Sequence, residues 1–310
     1  MSLDIRSLIS QIDASRIARD IEYLASDPLP CRKVNFTVPG HEKNSLDETD
    51  EYIEFQLAAR GWDVGRVPFQ VQAFRCDETK PRAHRYSAAD PSDPWHVANN
   101  VVTRKVGESV PDEIILLVSH KDSPSWADCP GAHDNAVGTA ANLEIARILA
   151  DVALPRTVEF LFCNEEHAPW TSVGAANAAA ERGDSLIAVL NQDSLGGKSP
   201  DDFAADRKVN VTGYTTPEGE RLAELMARVN EEYEIGLAQS SYARERPGDD
   251  DGSFINAGFP AAVINVGSLP FAFEHYHVEG DTVDSVDVEN VAMAAQAVLA
   301  ATLTLAVNGR

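Results

Sequence analysis

Cysteine is scarce in this chain: four residues in 310, Cys31, Cys76, Cys129 and Cys163, with no C-x-x-C pair among them. So few and so scattered, they exclude a disulfide framework, and reduced thiols in a cytoplasmic protein are the expectation. Lysine is scarce too, seven residues against nineteen arginines, beneath 49 acids, a balance that fits a salt-adapted or GC-rich source. The shortage of positive charge leaves a formal net charge of −23. Such a surface repels phosphates, which argues against nucleic acid and anionic membranes as partners. Long apolar runs are also missing. The first twenty residues carry Asp4, Arg6, Asp13, Arg16, Arg19 and Asp20, and no secretory leader is legible in them. Residues 291–307 are free of charge but rich in alanine, and hold Gln296, Thr302 and Thr304. A membrane span needs about 20 strongly apolar residues, so a buried C-terminal helix is the expectation.

What the chain does have is enough apolar material, 44%, for a substantial core, which excludes wholesale disorder. Residues 3–26 space Leu8, Ile9, Ile12, Ile17, Ile21 and Leu24 as an amphipathic helix, and 47–60 read as a second helix closed by Gly61. Residues 62–71 predict a strand and 76–98 a surface loop. Strands follow over 99–106 and 113–119. The second of these, Ile-Ile-Leu-Leu-Val at its centre, is apolar on both faces and belongs in a sheet covered on both sides. Helices over 135–150, 172–182 and 217–233 then alternate with strands over 157–163, 186–192, 209–211 and 261–266. This pattern predicts a single-domain (1–310) three-layer α/β/α sandwich around a central, largely parallel mixed sheet.

In such sheets ligands bind at the carboxyl ends of the strands. That is where His120, Asp122, Asp134, Glu165, Glu166 and Asp193 fall, each just after a strand or just before the helix that follows it. A lone acid there is usually a helix cap, but four junctions converging on one edge demand more. Carboxylates gathered that tightly raise one another's pKa, and burial adds to the cost, so a cation is expected among them. Imidazole and carboxylate without thiolate suit zinc, and less often manganese or cobalt. A further histidine should complete the set, either His277 or its neighbour His275.

His120-Lys121-Asp122, Gly131-Ala132-His133-Asp134-Asn135, Asn164-Glu165-Glu166, Asp193 and Tyr276-His277 occur in that order, followed by the run Gly280-Asp281-Thr282-Val283-Asp284-Ser285-Val286-Asp287. In this ordered set the chain resembles the zinc-dependent M28 peptidases over roughly residues 15–308. The resemblance implies a zinc-exopeptidase-like fold. It also implies that His120 and Asp193 hold one zinc, that Glu166 and His277 hold the other, and that Asp134 bridges the two. Family spacing picks His277 over His275. Asp122 would orient His120, Glu165 would be the general base, and the Asp134–Asn135 peptide would be cis. Two zinc ions are expected and one is possible.

The implied activity is that of an exopeptidase acting on peptides, an aminopeptidase first. Two alternatives stand beside it, a carboxypeptidase and a single-zinc glutaminyl cyclase. A catalytically dead receptor or scaffold domain is disfavoured because all five ligand positions and Glu165 are kept. A carboxypeptidase needs a cation for the terminal carboxylate, for which Arg244 and Arg246 are the candidates. The chain departs from the family pattern at His167-Ala168-Pro169-Trp170, where Trp170 is expected to shape a substrate pocket, and at 249–254. In the latter stretch Asp250 is either functional or part of a solvated acidic turn. His133 is expected to face solvent, as are the loop residues His41, His84 and His96. Cys129 either faces the site or is a buried inert thiol.

Overall fold

The computed structural model describes residues 3–268 and 273–310. Two helices, α1 (Ile5–Ile9) and α2 (Ala14–Ala25), replace the single one expected over 3–26. The apolar period runs through both, but Asp13 breaks it. Its side chain accepts from the Ser15 amide at 2.8 Å and so starts a new helix, an N-cap that periodicity alone passes over. Helix α3 (Ser45–Ala58) follows, and Gly61 takes φ = +81° just beyond it.

Strand β1 (Val64–Ala73) leads into the segment expected as a plain surface loop. That segment carries a small ribbon of its own, β2 (Arg75–Cys76) with β3 (Tyr86–Ser87), joined by a helical turn at Arg82–His84. Then come β4 (His96–Lys105), β5 (Val110–His120), α4 (Val137–Leu149), β6 (Arg156–Cys163), β7 (His167–Ala168), α5 (Thr171–Arg182) and β8 (Ser185–Gln192). The chain continues through α6 (Pro200–Ala204), β9 (Val209–Tyr214), α7 (Pro217–Glu232), β10 (Ala238–Ala243), α8 (Asp249–Asn256), β11 (Ala262–Val266) and α9 (Val288–Asn308). His96 therefore lies half-buried at the start of a strand, and residues 249–254 form helix α8 with Asp250 and Asp251 buried, where a solvated turn had been one expectation.

The described residues build a nine-stranded sheet in the order β10-β9-β11-β8-β5-β6-β4-β1-β7. Its centre, β11-β8-β5-β6, is parallel, and antiparallel pairings flank it on both sides. Parallel strands point their carboxyl ends to one edge, so the residues following β5, β6, β8 and β11 emerge together. Strand β5 is buried on both faces, as its sequence requires. Ile115 and Leu117 pack into the larger core with α2, α4, α7 and α9, whereas Ile114, Leu116 and Val118 join Ala176, Ala179 and Phe254 of α5 and α8. Helix α9 is long and apolar enough to cross a membrane by length and composition, yet 78% of its most apolar stretch is buried against the rest of the chain.

Candidate metal centre

Strand β5 delivers His120 to the carboxyl edge, β8 delivers Asp193, and the turn after β6 delivers Glu165 and Glu166. Asp134 arrives on a tight, irregular turn before α4. Gly131 in that turn takes φ = +62°, and a side chain there would run into the Asp134 carbonyl, so only glycine fits. The Asp134–Asn135 peptide is cis. Asn135 ties the turn to β8: its Nδ2 donates to the Gln192 carbonyl at 2.9 Å, and its Oδ1 accepts from the Gly138 amide at 2.9 Å.

These residues meet in two triplets that share one carboxylate. His120, Asp134 and Asp193 form the first, Asp134, Glu166 and His277 the second, with the donor atoms of each within 4.8 Å of one another. His120 Nε2 lies 3.0 Å from Asp134 Oδ1 and 3.5 Å from Asp193 Oδ1. His277 Nε2 lies 2.8 Å from Asp134 Oδ2 and 3.2 Å from Glu166 Oε1. Asp134 thus turns one oxygen to each triplet. Glu165, the immediate neighbour of Glu166, belongs to neither.

A second ring of contacts fixes these side chains. Asp122 sits 3.2 Å from His120 Nδ1 and accepts from the Glu165 and Glu166 amides at 3.0 and 2.8 Å. Asp122 also meets His167 Nδ1 at 2.7 Å, which gives the buried His167 a role that the sequence did not announce. His277 Nδ1 reaches the Ala83 carbonyl at 2.8 Å, so the ribbon expected as surface loop orients a site residue. Asp281 accepts from the His133 and Asp134 amides at 2.8 and 3.1 Å and meets His133 Nδ1 at 3.0 Å. His133 is therefore buried against Asp281 rather than exposed to solvent. Arg32, fully buried, clamps the carbonyls of Lys121, Pro130 and Gly131 at 2.7, 2.6 and 2.8 Å. Ser194, Asp249 and His277 are three of the five described non-glycine residues with positive φ, so backbone strain gathers around this centre.

The electrostatics ask for positive charge. Burial opposes charge on the His120 ring, but the facing carboxylates of Asp122, Asp134 and Asp193 outweigh it and push its pKa up. For His277, burial is likewise outweighed, here by Glu166 and Asp134. Burial pushes Glu166 up to about 7 against the pull of His277, and burial with Asp250 and Asp249 pushes Glu165 up. Asp122 goes the other way: hydrogen bonds from His120 and His167 overcome burial and hold its carboxyl well below the usual range. Rings drawn toward protonation beside glutamates reluctant to ionise mark a cluster short of cations.

The donor set fits zinc. Two donors on a tetrahedral zinc at about 2.0–2.1 Å stand roughly 3.3 Å apart, close to the spacing within each triplet. Both oxygens of Asp134 and His277 Nε2 are buried without a well-formed hydrogen bond among the described residues, which protein atoms rarely tolerate unless something else binds them.

Several candidates lie elsewhere. His275 is partly exposed and faces Glu274 at 3.3 Å. Asp250 is fully buried and receives Cys163 Sγ at 3.1 Å. The Arg244 guanidinium, a candidate for substrate carboxylate, is taken by Asp249 at 2.9 Å and by Asp251. Trp170 begins α5 half-buried, while Trp126 packs its ring 5.0 Å from that of His277 and lines the adjoining pocket. Cys129 is fully buried, and all four cysteines are free. Asp281, Arg32 and Trp126 escaped the sequence reading. The only available signal was for Asp281, which opens the run after Gly280.

The model of Peptidase family M28 matches residues 100–302. A probable aminopeptidase of Saccharomyces cerevisiae is 30% identical over 219 residues, covering 66% of this chain and 57% of that protein. A probable zinc metalloprotease of Pyricularia oryzae is 27% identical over 349 residues, covering 98% of this chain and 66% of that protein. The chain thus spans somewhat over half the length of these curated relatives. Among solved structures, an aminopeptidase from Aneurinibacillus sp. strain AM-1 aligns with a TM-score of 0.72 at 16% identity, over 97% of this chain and 96% of that one. A Bacteroides thetaiotaomicron glutaminyl cyclase aligns with a TM-score of 0.70 at 17% identity, over 94% and 97%. At such identities these two likenesses concern the fold.

Proposed function

The chain belongs to peptidase family M28, and on that premise we propose that it is a zinc-dependent exopeptidase, an aminopeptidase that removes N-terminal residues from peptides. One observation carries the proposal: Asp134 presents Oδ1 to His120 and Asp193, and Oδ2 to Glu166 and His277. In this reading His120 and Asp193 hold one zinc, Glu166 and His277 hold a second, and Asp134 bridges them. Bound there, zinc would supply Lewis acidity, drawing the pKa of water towards about 7 and polarising a peptide carbonyl.

The chain's own residues supply the proton traffic and the positioning. Glu165 stands beside the donors without joining them, and its Oε2 is buried with no hydrogen-bond partner among the described residues. In this reading it takes a proton from the attacking water and returns it to the leaving amine. Asp122 is a positioning residue. It fixes the His120 tautomer on one side and, through two backbone amides, the reach of both glutamates on the other. Ala83 does the same for His277 through its carbonyl. The carboxylates around the centre offer acceptors for a terminal ammonium, and the occupied Arg244 weakens the carboxypeptidase reading built on it.

The test is a product analysis on zinc-loaded protein, using one peptide with N-terminal leucine and one with N-terminal glutamine. Release of the free amino acid, abolished by a chelator and restored by zinc, is the expected result. Pyroglutamate formed without hydrolysis would replace the proposal with the cyclase. Full activity in a thoroughly demetallated sample would remove zinc from the account.

A further inference from the structure

We infer that the pocket beside His277 is a carboxylate-binding subsite, in which Arg85 and Arg82 grip an acidic side chain or a free C-terminal carboxylate of the peptide whose other end reaches the metal centre. The inference rests on the exopeptidase reading above and names its substrate class. The pocket has a volume of about 510 Å³ and is walled by Arg82, Arg85, Trp126, Asp128, His275 and His277, among others. That size suits a peptide end rather than a lone ion.

The charge on Arg85 is unspent among the described residues. This chain carries 49 acids against 26 bases, and its one fully buried arginine, Arg32, is satisfied by backbone carbonyls, so a half-buried arginine with an unpartnered nitrogen stands out. Arg85 is half-buried, its Nε is buried without a hydrogen-bond partner, and no carboxylate among the described residues pairs with it. Other part-buried arginines are all engaged: Arg66 holds Glu54, Arg147 holds Asp20, and Arg156 holds Glu113. Arg82, one helical turn earlier, is exposed at the pocket wall and equally unpaired among the described residues. Two acids also line the pocket: Asp128, held by Lys33 at 2.8 Å, and Glu279, exposed at the rim.

The position of these arginines is also fixed. Between them lies Ala83, whose carbonyl meets His277 Nδ1 at 2.8 Å, so the arginine turn is clipped to a proposed zinc ligand. Tyr86, next after Arg85, packs its ring 4.9 Å from that of Trp126, which itself lies 5.0 Å from the His277 ring. A guanidinium carried on a turn anchored in this way offers a planar fork that matches a carboxylate with two parallel hydrogen bonds. On a molecule of charge −23, a local cationic pocket is also what an anionic substrate needs in order to approach.

The test uses zinc-loaded protein and two matched pairs. Aminoacyl substrates bearing N-terminal glutamate or glutamine probe a side-chain carboxylate, and a dipeptide as free acid or C-terminal amide probes the terminal one. The carboxylate member of one pair should be preferred at least tenfold in kcat/KM, and which pair responds identifies the source. Arg85→Gln should reduce that ratio to near unity, and Arg82→Gln should reduce it partially. Calorimetric titration with glutarate supplies a readout without turnover. Its affinity should fall at least fivefold in Arg85→Gln, while any contribution of the zinc is common to both proteins. Equal glutarate binding by wild type and Arg85→Gln, or no preference in either pair, overturns the subsite. Arginine-dependent glutarate binding without any hydrolysis would instead leave the subsite standing and overturn the exopeptidase reading.

Discussion

Two acidic clusters sit near one another at the carboxyl edge of the sheet, and they are balanced in different ways. At the start of α8, Asp249 and Asp251 share the guanidinium of Arg244, so this cluster carries its own cation in the sequence. In the other, Asp134, Glu166 and Asp193 face two imidazoles and, among the described residues, pair with no lysine or arginine. A buried carboxylate group must be neutralised by a built-in cation, by protons or by metal. The first cluster draws on a cation of its own, with protons making up the rest where burial lifts Asp249 to about 6 and Asp251 to about 8. The second has no such cation among the described residues and is open to metal. The difference predicts which acids couple to zinc and which couple only to stability.

The sharpest way to break this contrast is Asp134→Asn. Because one side chain faces both triplets, the variant should lose zinc at both positions together. Activity should fall by a factor on the order of 10³ or more, as expected when the metal's several kcal/mol of transition-state stabilisation are removed. The rise in Tm that added zinc gives the wild type should vanish as well. Metal analysis finding a full equivalent of zinc still bound would mean that the triplets are independent and that Asp134 is no bridge.

Glu165→Gln tests the neighbour that stands outside the triplets. Zinc content should stay at the wild-type level, while turnover falls by about 10²–10⁴, the usual worth of a general base. Glu166→Gln should do the reverse, losing zinc first and recovering part of its activity in excess metal. If zinc leaves Glu165→Gln and stays in Glu166→Gln, the two roles are exchanged.

The sheet, and the gathering of His120, Asp122, Glu165, Glu166 and Asp193 at one edge of it, were legible from short-range signals, whereas the choice of His277 over His275 came from family spacing. The two-sided apolar run of β5 can only be a central strand, and polar residues after parallel strands must gather at one edge. What the sequence hid are contacts set by tertiary packing. Nothing local distinguishes Asp250 and Asp251, buried in the first turn of α8, from a solvated acidic turn, since the same three aspartates serve either case. His133 reads as exposed beside a ligand, and only the distant Asp281 turns it inward. The segment 76–98 has no period to read, yet it orients His277 and carries the pocket arginines. Asp13 is the exception: its cap was present in the sequence, and an unbroken apolar period masked it.

Arg244→Met removes the built-in cation of the first cluster. Burial outweighs Arg244 and holds the Asp251 carboxyl up at about 8, so it takes a proton when its partner goes. What is lost is the guanidinium's hydrogen bonds to Asp249 and Asp251, each worth about 1.5–3 kcal/mol, or about 3–5 kcal/mol of folding stability together. Denaturant unfolding in saturating zinc measures it, and zinc content should stay unchanged. Loss of zinc at unaltered stability would show that Arg244 serves the metal cluster after all.

The smallest effect is at Asp287 ahead of α9, an acid supplied with two cations. Its carboxylate accepts from the Asn290 amide at 3.0 Å, which caps the helix, and from Lys208 Nζ at 2.9 Å, while the buried Lys198 ammonium lies on the same side chain. Burial opposes the charge, but the hydrogen bonds from Lys198, Lys208 and Asn290 outweigh it and bring the pKa from 3.8 down to about 2. The sign follows from proton counts. Between these two values the unfolded chain binds more protons than the folded one, so stability rises with pH across the interval. The contribution is complete above pH 3.8 and is lost as pH falls through about 2. Asp287→Asn keeps a capping acceptor but removes the charge, and should cost about 1.5–3 kcal/mol at neutral pH, the worth of hydrogen bonds to a charged group. Zinc content should not move. Unfolding free energies of both proteins, measured down to pH 2, should converge as Asp287 titrates. A gap that persists undiminished at pH 2 would mean that the charge of Asp287 is not what holds the start of α9.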